Sequence, residues 1–212
     1  KEMIRNIHEQ LDSCEDLAQP LGASYKELFM PAKADGAYAI EKNALHIWPR
    51  GNYMLMALPN LDGSFTMTLY LPENGDPSFE NIKTDEDVQE LFKKDFKDSL
   101  PLMPELIKDF SENPEGKLAT VRCFPWHHKD KVLLIGDAAH GIVPFFGQGM
   151  NSGFDDCSLL NKLMASESDW GKIFESFNTI QKKNGDAIAD MAIENFVEMS
   201  EKTGDPDFLL KK

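Results

Sequence analysis

The chain has 212 residues, 42% of them hydrophobic, enough to bury a substantial core as one large domain or as parts of two. Thirty-six acidic against 22 basic residues leave a net charge of −14, which repels phosphate backbones and anionic lipid surfaces, so nucleic acid is not an expected partner. No stretch approaches the ~20 apolar residues of a membrane span, and no signal-peptide run opens the sequence. Cys14, Cys123 and Cys157, odd in number and far apart, suit neither a disulfide framework nor a zinc site, and the expectation is a cytoplasmic protein.

Ile4, Ile7, Leu11 and Cys14 recur at helical spacing, which predicts an amphipathic helix over residues 3–17, ended by Pro20-Leu21-Gly22. The period then changes to that of strands at residues 38–40, 44–48, 53–58 and 65–70, with hairpin turns at Pro49-Arg50-Gly51-Asn52 and Asn60-Leu61-Asp62-Gly63: an antiparallel sheet. Thr84 and Asp87 form a candidate capping box. Val88, Leu91, Phe92 and Phe96 supply the buried stripe of the helix that follows, and Pro101 and Pro104 break it. A helical stretch over residues 105–110 and a strand over residues 118–124 come next, with a natural boundary at Pro125-Trp126-His127-His128.

The run Val132-Leu133-Leu134-Ile135 is short, apolar and unalternated, as a strand covered on both faces of a parallel sheet would be. No βαβ unit accompanies it, so it reads as the last strand of a sheet whose other strands lie outside this sequence. Helices are predicted over residues 153–164, 170–183 and 186–202. The fold class is α+β / α/β, organised as residues 1–21, 22–125, 126–165 and 166–212.

The stretch richest in chemistry runs from Gly136-Asp137-Ala138-Ala139-His140 through Pro144-Phe145-Phe146-Gly147-Gln148-Gly149-Met150-Asn151 to Gly153-Phe154-Asp155-Asp156. Gly147, Gly149 and Gly153 give G-x-G-x-x-x-G, one residue too long for the dinucleotide fingerprint and not directly after the strand. What remains is a strand ending in Gly-Asp and a glycine-rich loop opening a helix near Asn151. A carboxylate there can accept from sugar-like hydroxyls, and backbone N–H groups at a helix N-terminus attract negative charge. Gly-Asp alone is also an ordinary strand-to-helix turn. Met54, Met56 and Leu58 alternate onto one sheet face, and methionines adapt to aromatic ligands, although plain core packing explains them equally. Asn195 falls on the helical stripe of Ile188, Met191, Ala192 and Met199, where a buried amide needs a partner. His140, His127 and His128 lack acidic or cysteine companions at metal spacing and read as turn or surface histidines.

Taken whole, this segment resembles the second flavin motif of the single-component FAD-dependent aromatic hydroxylases, and in its Val-Pro-Phe-Phe-Gly-Gln-Gly-Met-Asn form their kynurenine 3-monooxygenase branch. The resemblance extends through Tyr25-Lys26-Glu27-Leu28, Leu45-His46-Ile47-Trp48-Pro49-Arg50, Ala57-Leu58-Pro59-Asn60 and Glu194-Asn195-Phe196-Val197-Glu198-Met199, and covers roughly residues 22–212. It implies a substrate-binding sheet domain over residues 22–125 and the last strand and helix of a Rossmann-like FAD-binding domain over residues 126–165. It implies FAD reduced by NADPH, reaction with O2, and oxygen transfer from a flavin hydroperoxide to the ring of L-kynurenine, in a cavity kept poor in water. FAD would be met by Gly136, Asp137, Pro144, Gly147, Gln148, Gly149, Met150 and Asn151. The substrate would be met by Leu45, Met54, Met56, Leu58, Tyr70, Pro144, Phe145, Phe146, Asn195 and Met199, with Asn195 on the amino-acid carboxylate. The family's N-terminal G-x-G-x-x-G unit and its carboxylate-holding Arg and Tyr have no counterpart in these residues. Another aromatic substrate, or a chain that by itself neither holds flavin nor turns over, are the alternative readings.

Overall fold

The computed structural model describes residues 15–204. The helix predicted over residues 3–17 lies mostly outside them, and its last three positions belong to a strand, β1, Glu15–Met30. Alternation misses β1 because two of its core-side positions carry Ser24 and Lys26; the lysine is retained by donating Nζ to the Phe110 carbonyl at 2.7 Å and lying 4.5 Å over that ring.

β2 (His46–Pro49), β3 (Met54–Pro59) and β4 (Phe65–Pro72) follow, and with β5 (Glu115–Phe124) they form a five-stranded sheet of order β2-β3-β4-β1-β5. β2 with β3, β3 with β4, and β4 with β1 pair antiparallel, as the turn chemistry requires. Arg50 N donates to the Tyr53 carbonyl and Asn60 N to the Ser64 carbonyl, with Gly51 and Gly63 at φ +82° and +90°. Residues 38–40, predicted as a strand, form a loop instead: Tyr38 donates its hydroxyl to the Asn60 carbonyl and sets its ring edge-on to Phe65, so the segment covers the end of the core.

The described residues divide into two compact units, residues 22–118 with 197–204, and residues 15–21 with 119–196. In the first, the sheet unit, Leu28, Met30, Tyr53, Leu55, Ala57, Phe65, Met67, Leu69 and Leu71 line one sheet face. Against it pack α1 (Asp85–Asp95) and α2 (Leu106–Glu112) through Val88, Leu91, Phe92, Leu106 and Phe110. The capping box is present: Thr84 Oγ1 accepts from Asp87 N, and Asp87 Oδ2 accepts from Thr84 N at 2.8 Å. α1 ends at Asp95, ahead of Pro101 and Pro104. Its final carbonyl, that of Asp95, is taken by the Arg50 guanidinium, and the Asp95 carboxylate accepts from Tyr53 Oη at 2.9 Å.

In the second unit β6 (His127–His128) and β7 (Val132–Leu133) make a short antiparallel hairpin, continued by Leu134 N donating to the Trp126 carbonyl. The strand expected to be covered on both faces is thus only half-buried, and among the described residues it pairs with β6. Then come α3 (Asp137–His140), a 3-10 turn (Pro144–Phe146), α4 (Gly149–Ser166) and α5 (Trp170–Ser200). α5 is continuous where two helices were predicted. A Cβ on Gly185 would stand 3.1 Å from Trp126 Cη2 and 3.2 Å from His140 Cβ, so this glycine serves close packing rather than a break. Among the described residues no helix is long and apolar enough to cross a membrane, and no His/Cys/Asp/Glu group could hold a metal ion.

Candidate functional site

Gly136 adopts φ 58° and ψ −145°, a conformation for which a side chain is strained, and this turn delivers Asp137 into the first turn of α3. The N–H groups of Ala139 and His140 return to the Gly136 carbonyl. Ala139 is buried and its carbonyl accepts from the Cys123 thiol at 3.3 Å, while Asp137 is exposed. The inner side of the turn is therefore fixed, and the carboxylate stands in solvent.

Pro144 opens the 3-10 turn that Gly147 closes in the left-handed region, its N–H donating to the Pro144 carbonyl at 3.0 Å. α4 follows. Its first intrahelical bond runs from Ser152 N to the Gln148 carbonyl, so the N–H groups of Gly149, Met150 and Asn151 have no partner inside the helix. No side chain caps them and no acidic residue stands in the first turn. Gln148 instead turns its Oε1 to Asn151 Nδ2 at 2.9 Å. Gly147 has open space around it, and Met150 is 73% exposed. The helix thus presents an accessible, uncapped positive end.

Beneath this surface lies a buried polar cluster that sequence reasoning missed. Asp156, 0% exposed, accepts at Oδ2 from Gly136 N (2.6 Å) and His140 Nε2 (2.8 Å), and at Oδ1 from Gln181 Nε2 (2.9 Å). Burial pushes the Asp156 carboxyl up, but the hydrogen bonds from His140 and the Gly136 N–H, with the His140 charge, together hold it below the usual carboxylate range. His140, expected at a turn surface, is buried against Trp126, their rings 5.0 Å apart. The signal that could have found the cluster is Gln181, a polar residue in helical step with Phe174, Phe177 and Gly185. His127 and His128 sit half-buried on the hairpin.

Asn195 is half-buried and donates Nδ2 to the Phe145 carbonyl, while the Phe145 ring packs 4.5 Å from Phe196. Its stripe differs in one member from the expected one, since Met191 is exposed where Ala192 is buried. Phe145 is buried, and Pro144 and Phe146 are exposed on the same turn.

The remaining predicted residues belong to the sheet unit. Met54 stands directly opposite Tyr70 in the β3–β4 register, with Met56 opposite Thr68 and Leu58 opposite Thr66, so Met54, Met56, Leu58 and Tyr70 share the sheet face opposite the helix-packed core. Met54, Met56 and Tyr70 are buried; Leu58, at 47% exposure, and Leu45 are open. Tyr25, opposite Tyr70 on β1, sets its ring 6.2 Å away, and burial pushes the Tyr70 hydroxyl up to about 12. Met199, also in this unit, is buried. The two groups of predicted residues thus fall in different units.

Among known proteins, the chain is 52% identical over 193 residues to kynurenine 3-monooxygenase of Flavobacterium johnsoniae, covering 91% of this chain and 43% of that protein. It is 49% identical over 209 residues to kynurenine 3-monooxygenase of Myxococcus xanthus, covering 99% and 45%. The chain spans less than half the length of these curated relatives. Among solved structures, its fold is similar to 2-methyl-3-hydroxypyridine-5-carboxylic acid oxygenase, at TM-score 0.69 and 18% identity over 92% of this chain and 51% of that one. Klebsiella pneumoniae HpxO complexed with FAD and uric acid is similar at TM-score 0.68 and 13% identity over 93% and 49%. The sequence pattern described as FAD binding domain matches residues 61–176, the stretch that holds the Gly136–Asp137 turn and the uncapped start of α4, and by that match over more than half its length the chain belongs to the FAD binding domain family.

Proposed function

We propose that the protein carrying this chain is an FAD-dependent, NADPH-using monooxygenase that hydroxylates the ring of L-kynurenine with O2. The observation that carries the reading is the uncapped N-terminus of α4 beside a glycine loop with no side chain in the way. These features fit the electron-rich end of a flavin ring, and the exposed Asp137 fits an acceptor for the hydroxyls of its ribityl chain. When bound, FAD supplies the activation of O2.

The chain's own residues orient and exclude water. The N–H groups of Gly149, Met150 and Asn151 offer fixed donors where negative charge accumulates, at no cost of reorganisation. Pro144, Gly147 and Gln148 shape that loop, and Phe145 and Phe146 give it an apolar side. On the sheet unit, Met54, Met56, Leu58 and Tyr70 share one face and present a wall suited to an aromatic ring, and Leu45 and Met199 belong to the same unit. Tyr70, its hydroxyl pushed up to about 12 by burial, adds no charge to it near neutral pH. Asn195, held on the turn by donating to the Phe145 carbonyl, carries an amide of the kind that suits the substrate's carboxylate.

The test is NADPH oxidation by the intact protein with L-kynurenine, coupled to formation of the ring-hydroxylated product; oxidation without that product overturns the reading. In the same assay Asn195→Ala lowers kcat/KM about 10- to 150-fold, the equivalent of a charge-assisted hydrogen bond of roughly 1.5–3 kcal/mol. A substrate analogue lacking the carboxylate shows little of that loss. Equal losses with both substrates would confine Asn195 to holding the Phe145 turn.

A further inference from the structure

We propose that His140, Asp156 and Gln181 form a positioning cluster for FAD, setting the Gly136–Asp137 turn from beneath so that the Asp137 carboxylate meets the cofactor in one fixed orientation. The inference rests on the reading of Asp137 as a flavin contact. Three elements converge on the Asp156 carboxylate: α3 through His140 Nε2, α5 through Gln181 Nε2, and the turn itself through Gly136 N, the peptide N–H one residue before Asp137. Because a carboxylate only accepts, His140 Nε2 is the protonated ring nitrogen. Gln181 is held in turn, its Oε1 accepting from Asn184 Nδ2 at 2.7 Å and its Nε2 also reaching Asp155 Oδ2.

Two glycines adapt the backbone to this arrangement. Gly136 supplies a conformation that aims its N–H at Asp156, and Gly185 lets α5 come within contact of His140 and Trp126. A buried polar cluster gives little net stability over apolar residues of the same volume. What it gives is direction, and here the directed group is the N–H that precedes Asp137. None of the three side chains is exposed, so they act through the turn and not by touching cofactor.

A double-mutant cycle on the intact protein, read by quenching of FAD fluorescence, tests this. His140→Phe keeps a ring against Trp126 but donates nothing to Asp156. It raises the FAD dissociation constant about tenfold when Asp137 is present, and less than about threefold in an Asp137→Ala background, because the turn then has no carboxylate left to aim. His140→Gln, which retains an N–H of similar reach, restores affinity to within about threefold and restores the absorption spectrum of the bound flavin. Melting curves establish that each variant is folded; if His140→Phe is not, Asp156→Asn takes its place under the same criteria. The proposal is overturned if the first substitution leaves affinity unchanged, or if it costs the same tenfold with and without Asp137, as a merely structural pair would. If Asp137→Ala alone leaves affinity unchanged, the failure lies with the reading of Asp137, and the inference falls with it.

Discussion

Asp137→Ala in the intact protein raises the FAD dissociation constant about 10- to 150-fold while leaving the KM for L-kynurenine, the substrate we propose, within about threefold at saturating FAD. The magnitude is that of a hydrogen bond to a charged group, roughly 1.5–3 kcal/mol, read at ~1.4 kcal/mol per decade. The direction follows from placement. Asp137 is exposed on the first turn of α3, while the turn behind it is anchored by Gly136 N on Asp156 and by Ala139 on Cys123. The alanine variant therefore keeps its backbone and loses only the carboxylate. Fluorescence titration of FAD and steady-state kinetics, run together, check both halves. A change in KM without a change in FAD affinity would move Asp137 from cofactor to substrate.

The largest effect on stability falls at Trp126. Its side chain is 1% exposed, its ring lies 5.0 Å from His140 and 6.4 Å from Phe177, and its indole Nε1 donates to the Cys123 carbonyl at 2.8 Å. Trp126→Ala empties this space and removes the indole donor, destabilising the protein by about 3–5 kcal/mol in urea unfolding. Trp126→Phe, which keeps a ring in the space, costs less than half as much. The Gly185 contact sharpens the expectation: at this point α5 carries no side chain that could turn into the vacated space. A loss below about 1.5 kcal/mol for the alanine variant would show that the cavity collapses.

The parts of the fold legible in the sequence are those where local chemistry and burial agree. β3 and β4 alternate cleanly between two glycine-containing turns, and Thr84 with Asp87 announces α1. β1 hides because Lys26 and Ser24 occupy positions on the packed face, where the lysine is stabilised by Phe110, 84 residues away in the chain. α5 reads as two helices, 170–183 and 186–202, in the sequence; the contacts of Gly185 with Trp126 and His140 that suit a continuous helix are long-range and leave no trace in local spacing. The same holds for the site. The Gly136–Asp137 turn and the loop before Asn151 stand out as motifs, and the hairpin register then places Tyr70 opposite Met54. His140 was misread because its partners Asp156 and Gln181 arrive from two later helices, and only the fold brings them to one carboxylate.

Backbone hydrogen exchange measures directly whether the start of α4 faces FAD. In the intact protein stripped of flavin, the N–H groups of Gly149, Met150 and Asn151 have no intrahelical partner and no side-chain cap, so they exchange rapidly. On addition of FAD, the peptide spanning residues 147–152 becomes protected by about tenfold or more, while peptides in α1, on the sheet unit, keep their rates. Unchanged exchange over residues 147–152 in a protein that demonstrably holds FAD would place the flavin away from the start of α4.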